Sequence, residues 1–176
     1  MKDLTYLEKA EVDVLINAAQ TCNSRDGLLL SFLWKTGARV GEMVNVKVAD
    51  IEFHNRAVNL TKTKRNKPRR VYLDSETTEE LKRYVVENKK DDNDSIFPIG
   101  TRRVWTLTKR YAHAAGITKK VTPHTLRHSF AVHCVRNGMD LQRLGKLMGH
   151  SSIMITSIYL RFADKDVQDV YDTIAF

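Results

Sequence analysis

"TPHTLRHSF", residues 122–130, decides how this chain is read. Pro123, directly behind Thr122, suits the first position of a helix, where its missing N–H costs nothing. The segment "PHTLRHSFAVHCVRNG" then runs to Gly138, a stop signal just past the helix end. His124 and Arg127, at i and i+3, project from one face. They stand in the first turns, where free backbone N–H groups and the helix dipole attract an anion. H-x-x-R alone is weak evidence, and "HCVR" repeats it nine residues later. That second pair, His133 and Arg136, faces the opposite way. It ends the helix, where cations complement the dipole, and is read as structural.

Composition sets the class. The 176 residues are read as one domain with room for a core. An apolar fraction of 42% and an aromatic fraction of 8% are those of a globular protein. Lys and Arg number 29 against 21 Asp and Glu, a net charge of +8 that suits a nucleic-acid partner. Cys22 and Cys134 form no C-x-x-C pair and no disulfide framework. They are read as two small core residues in a reducing cytosol. "MKDLTYLEKAEV" lacks the apolar stretch of a secretory signal. The most apolar run, "LLLSFLW" at 28–34, is shorter than the roughly 20 residues a membrane span needs. The expectation is a soluble cytoplasmic protein with no membrane association.

Working outward, "TYLEKAEVDVLINAAQ" predicts a first helix with a capping box from Thr5 to Glu8. "SRDGLLLSFLWKTG" predicts a second, capped by Ser24 and stopped at Gly37. "ARVGEMVNV" starts a short third helix. "DIEF", "RAVNLT" and "RRVYL" read as a three-stranded antiparallel sheet with a basic turn, "KTKRNKP", before the last strand. "SETTEELKRYVVEN" is a surface helix, and "KKDDNDS" reads as linkage only. Helices follow in "RRVWTLTKRYAHAAG", "DLQRLGKLMG" and "SSIMITSIYLRF", the last from near Ser151. In the tail, Val167, Val170, Tyr171 and Ile174 share a face. The fold class is α+β, mostly helical, with one small three-stranded sheet.

Three further pieces lift "HTLRHS" above chance. "TGARVGE" (36–42) places Arg39 just after a glycine-ended helix. "LMGHSS" places His150 at a glycine-preceded junction, and "SIYLRF" places Tyr159 nine residues later. The order Arg, His-x-x-Arg, His, Tyr, with these flanking residues, resembles the tyrosine recombinase (integrase) family, its Xer and phage branch in particular. The resemblance runs from "LTYLEKAEVDVLI" to "SIYLRF" and matches that family's catalytic domain. It implies that residues 1–176 are such a domain, without the N-terminal core-binding domain most relatives carry.

The resemblance also implies roles. Arg39 and Arg127 would clamp the non-bridging oxygens of one phosphate of double-stranded DNA, a task that suits permanently charged guanidinium forks. His150 would donate a further hydrogen bond. Tyr159 would attack, giving a 3′-phosphotyrosine and a free 5′-hydroxyl. A phenol with pKa near 10 needs activation, and His124 is the expected acceptor of its proton. Lys64 aligns as general acid for the leaving 5′-oxygen, among Lys62, Lys64 and Lys67. Here Arg65 follows it where family turns usually have glycine. Glu42 resembles the acidic residue that buttresses the first arginine. His128 resembles a common family residue and is expected to bond locally, outside the core site. The chemistry implied needs no metal and no cofactor. The implied assembly is a homo-tetramer on DNA, nucleoid-associated, with the tail at 164–176 docking on a neighbour. The competing readings are type IB topoisomerase-like relaxation and a catalytically silent DNA-binding regulator.

Overall fold

The computed structural model describes residues 4–61 and 68–162. Helix α1 (Lys9–Cys22) leads into α2 (Ser24–Thr36), the most buried element, which packs on α1, α4 (Ser75–Glu87) and α6 (Pro123–Arg136). The first helix begins later than its sequence suggests. The Glu11 carboxylate accepts the Glu8 N–H at 2.8 Å, so the reciprocal cap lies at Glu8 rather than Thr5. The cause is tertiary: the Leu7 N–H is spent on the Ser129 hydroxyl of α6 at 2.8 Å, which holds the chain extended until Glu8. For α2 the cap is Asn23, whose side chain accepts from Asp26 N–H, and Ser24 is the first helical residue.

Helix α6 starts at Pro123, with Thr122 accepting the Thr125 N–H, and Gly138 follows its end with φ +84°. At the other end of the site α2 stops at Gly37, φ +59°, where an added Cβ would lie 2.3 Å from the Phe130 ring. Both the left-handed backbone and the close approach of α6 therefore require glycine. Gly37→Ala is expected to cost about 1–3 kcal/mol, read as a lower midpoint in urea at unchanged m-value.

A short helix α3 (Val40–Met43) connects to a three-stranded antiparallel sheet in the order β1 (Ile51–Glu52), β2 (Ala57–Leu60), β3 (Arg69–Tyr72). Val58 pairs with Val71 and Leu60 with Arg69, so Arg69 shares the inward face with Val71. The segment read as mere linkage does more. Its backbone is stitched to 46–49 through Val48 N–H to Asp94 C=O at 3.0 Å and Ile96 N–H to Val46 C=O at 2.9 Å. Helix α5 (Thr101–Ala114) ends before Gly116, and α7 (Leu141–Met148) is capped by Asp140 and closed by Gly149 at φ +62°.

The helix expected from Ser151 is instead two pieces. One turn of α8 (Ile153–Thr156), capped by Ser152, tightens at Ser157 into a 3-10 segment, Ser157–Phe162. Cys22 is exposed and Cys134 half-buried, and both are free thiols. The expected core role therefore fails for Cys22, which is the last residue of α1. Among the described residues no helix is long and apolar enough to cross a membrane. The apolar tail stripe at 167–174 lies outside them.

Candidate active site

Glu42 is the anchor. It is 6% exposed, and its carboxylate accepts from the Arg39 N–H at 2.8 Å and Arg39 Nη1 at 3.1 Å. It also takes a two-pronged contact from Arg69, Nη1 at 2.6 Å and Nη2 at 2.7 Å. Burial opposes its charge, but the hydrogen bonds from Arg69 and the Arg39 backbone win and hold the carboxyl below its usual range. Arg69 was not singled out in the sequence, where "RR" passes for a basic surface run. The alternation of "RRVYL" contains the signal, since Arg69 falls on the side of buried Val71. Its Nε donates to the Leu147 carbonyl at 2.8 Å, which ties β3 to the end of α7.

Arg39 and Arg127 meet at one atom. Arg39 Nη1 donates to the Met148 carbonyl at 3.4 Å and Nη2 to Gly149 at 3.2 Å. Arg127 Nη2 donates to that same Met148 oxygen, and its Nη1 donates to the Gly37 carbonyl. Arg127 is 5% exposed, whereas the Arg39 side chain is 32% exposed. Arg39 and Arg69 thus share one carboxylate, and Arg127 joins Arg39 at the Met148 carbonyl. Burial first, then the charges of Arg39 and Arg69, pull Arg127 down to about 9, so it remains a cation at neutral pH.

His150 follows Gly149, and its Nδ1 lies 2.9 Å from the buried Thr156 hydroxyl. Burial, then Arg127 and Arg39, lower it to about 4, which leaves a neutral imidazole. Tyr159 is 1% exposed, yet its hydroxyl is not sealed in hydrocarbon. It lies 2.7 Å from His128 Nδ1. Burial pushes the phenol up to about 12 against the pull of Arg127.

The structure does not bring His124 to the phenol. His124 is exposed and stands edge-on to Trp105, ring centroids 5.8 Å apart. Surrounding protein, then Arg127 and Arg39, lower its pKa. His128, read as a bystander, holds the tyrosine instead. One helical turn separates the two histidines, and only the path of the 3-10 segment decides which one Tyr159 meets. Lys62, Lys64 and Lys67 lie outside the described residues. The second pair is structural as read: Arg136 binds Glu8 and the Tyr6 hydroxyl, and His133 packs on Trp34. Among the described residues no three His, Cys, Asp or Glu side chains gather to hold a metal ion.

Residues 5–166 match the phage integrase family, and the chain belongs to it. It is 34% identical over 173 residues to a tyrosine recombinase of Pseudothermotoga lettingae, covering 96% of this chain and 60% of that one. The crystal structure of XerA recombinase superposes with a TM-score of 0.78 at 33% identity, over 96% of this chain and 63% of that chain. The XerH site-specific recombinase bound to its difH substrate in a pre-cleavage complex gives 0.79 at 25% identity, over 97% of this chain and 54% of that chain. The chain therefore spans about 60% of the length of the curated relatives it matches. The fold is that of a tyrosine recombinase catalytic domain.

Proposed function

We propose that residues 1–176 form the catalytic domain of a site-specific DNA recombinase that cuts and rejoins strands through a 3′-phosphotyrosine. The observation that carries this reading is the shared Met148 carbonyl. Two guanidiniums from α6 and from the start of α3 converge on one oxygen, the arrangement a phosphate oxygen would exploit. Both forks tighten as charge builds on the five-coordinate phosphorus. We assign the Thr156 hydroxyl as the donor to His150 Nδ1, 2.9 Å away, so that His150 presents its Nε2–H as a third donor. Tyr159 is the nucleophile and Lys64 the acid for the leaving 5′-oxygen. His124, exposed beside Arg127, is assigned to the phosphate rather than to the phenol. The XerH complex, with its difH substrate, supports double-stranded DNA as the partner. Assembly as a tetramer on DNA and a place with the nucleoid belong to the same reading. The names of the relatives favour recombination over DNA relaxation.

The test is covalent trapping. A pool of nicked duplexes with randomised sequence, from which the cut strand diffuses away, is incubated with the chain at low salt. The expected result is a DNA adduct whose peptide mass maps to Tyr159. Binding without any adduct would favour the silent regulator.

A further inference from the structure

We propose that His128 is the residue that takes the proton from Tyr159 during cleavage and returns it during rejoining, an assignment that rests on the proposed recombinase chemistry. The geometry is direct. The phenol hydroxyl lies 2.7 Å from His128 Nδ1, within proton-transfer reach. The rings stand 6.0 Å apart, tilted by 49°, with Tyr159 buried against α6. His124, the residue otherwise expected in this role, faces Trp105 and solvent.

The protonation states fit an acceptor. Burial, then His124 and Arg127, lower His128 to about 4, so its imidazole is neutral and one nitrogen is free. A phenol is the better donor of the two groups, which leaves Nδ1 as acceptor and the ring proton on Nε2. In the resting protein the proton stays on Tyr159, whose pKa is about 12. The gap closes only as bonds change. As the phenol oxygen bonds to phosphorus it loses its basicity, and its proton passes to Nδ1. The P–O5′ bond breaks in the same step, and the 5′-oxygen takes a proton from the general acid. The bound phosphodiester also places an anion beside Arg127, which lessens the smaller, cationic share of what keeps His128 neutral, burial being the larger. Rejoining runs in reverse: the 5′-hydroxyl attacks, and the imidazolium returns its proton to the departing tyrosine oxygen. His128 also borders an open cleft of about 400 Å³ with Leu4, Trp105, Lys120 and His124, so its imidazole has access to water.

Two measurements on the full chain test this. Nitrogen-detected NMR of the free protein is expected to show a neutral His128 with the proton on Nε2; a proton on Nδ1 would overturn the assignment. The second uses the nicked randomised duplexes with His128→Asn, whose side-chain oxygen can accept the phenol hydrogen bond but cannot take its proton. Adduct formation is expected to slow by about 10²–10⁴-fold, and a difluorotyrosine at position 159, being more acidic, is expected to restore part of that loss. Adduct formation by His128→Asn as fast as wild type, or faster, would overturn the role; faster would mean that His128 only restrains the tyrosine. A wild-type protein that forms no adduct removes the underlying reading as well, whereas an adduct independent of His128 removes this assignment alone.

Discussion

Arg127→Ala is expected to slow adduct formation on nicked duplex DNA by about 10³-fold or more while leaving low-salt DNA binding within a few-fold of wild type. The rate effect follows from position. Removing one preorganised donor from a developing oxyanion costs about 10²–10³, and Arg127 would supply two from a fork that is charged at neutral pH. Binding depends on many phosphate contacts spread over a chain of net charge +8, so the loss of one buried cation changes it little. Stability moves in two directions. The Gly37 carbonyl loses its arginine donor, at about 1–3 kcal/mol for a buried acceptor left unpaired, whereas the Met148 carbonyl keeps Arg39. Against that, a guanidinium lowered to about 9 by burial and by Arg39 and Arg69 is a charge the fold retains at a loss. Equal cleavage rates for wild type and variant would remove Arg127 from the chemistry.

Much of this was legible in the chain itself, for local reasons. Pro123 and Gly138 bound α6, and Gly37 ends α2, because backbone geometry at those positions depends on the residue itself. Arg39 and Arg127 stand beside those same signals, so their convergence could be anticipated. The misses come from tertiary contacts. Thr5 lost the cap of α1 because Leu7 bonds to Ser129, 122 residues away. Arg69 hid within a basic run, although its strand alternation placed it inside. His124 and His128 differ by one turn on the same helix, and the choice between them depends on where Ser157 tightens the chain. No spacing rule encodes that bend.

Glu42→Gln should be the most damaging single change to the folded state. Its carboxylate is the counter-ion of Arg69, whose side chain is 7% exposed, and it aligns Arg39 through both backbone and side chain. Removing one partner of a buried pair costs about 3–5 kcal/mol, which for a chain of this size corresponds to roughly 10 °C in melting temperature. The amide oxygen still accepts one hydrogen bond, but no charge offsets the three guanidiniums. Arg39 is then free to swing from the Met148 carbonyl, and a misplacement of about 1 Å at such a position can cost 10²-fold in rate. Acid titration isolates the effect. Glu42 has a folded pKa below its usual value of 4.5, so its contribution is complete above 4.5 and is lost as pH falls through the folded pKa. His128 and His150, both lowered to about 4, remove stability in the higher window between about 6.5 and 4. Wild type should therefore weaken in two stages on acidification, and Glu42→Gln should retain the histidine stage while weakening less steeply in the lower one, where Glu8, Glu52, Asp74 and Asp140, also held below their usual values, still titrate. If the two proteins lose stability in parallel below pH 4.5, the carboxylate is not what holds the arginines together.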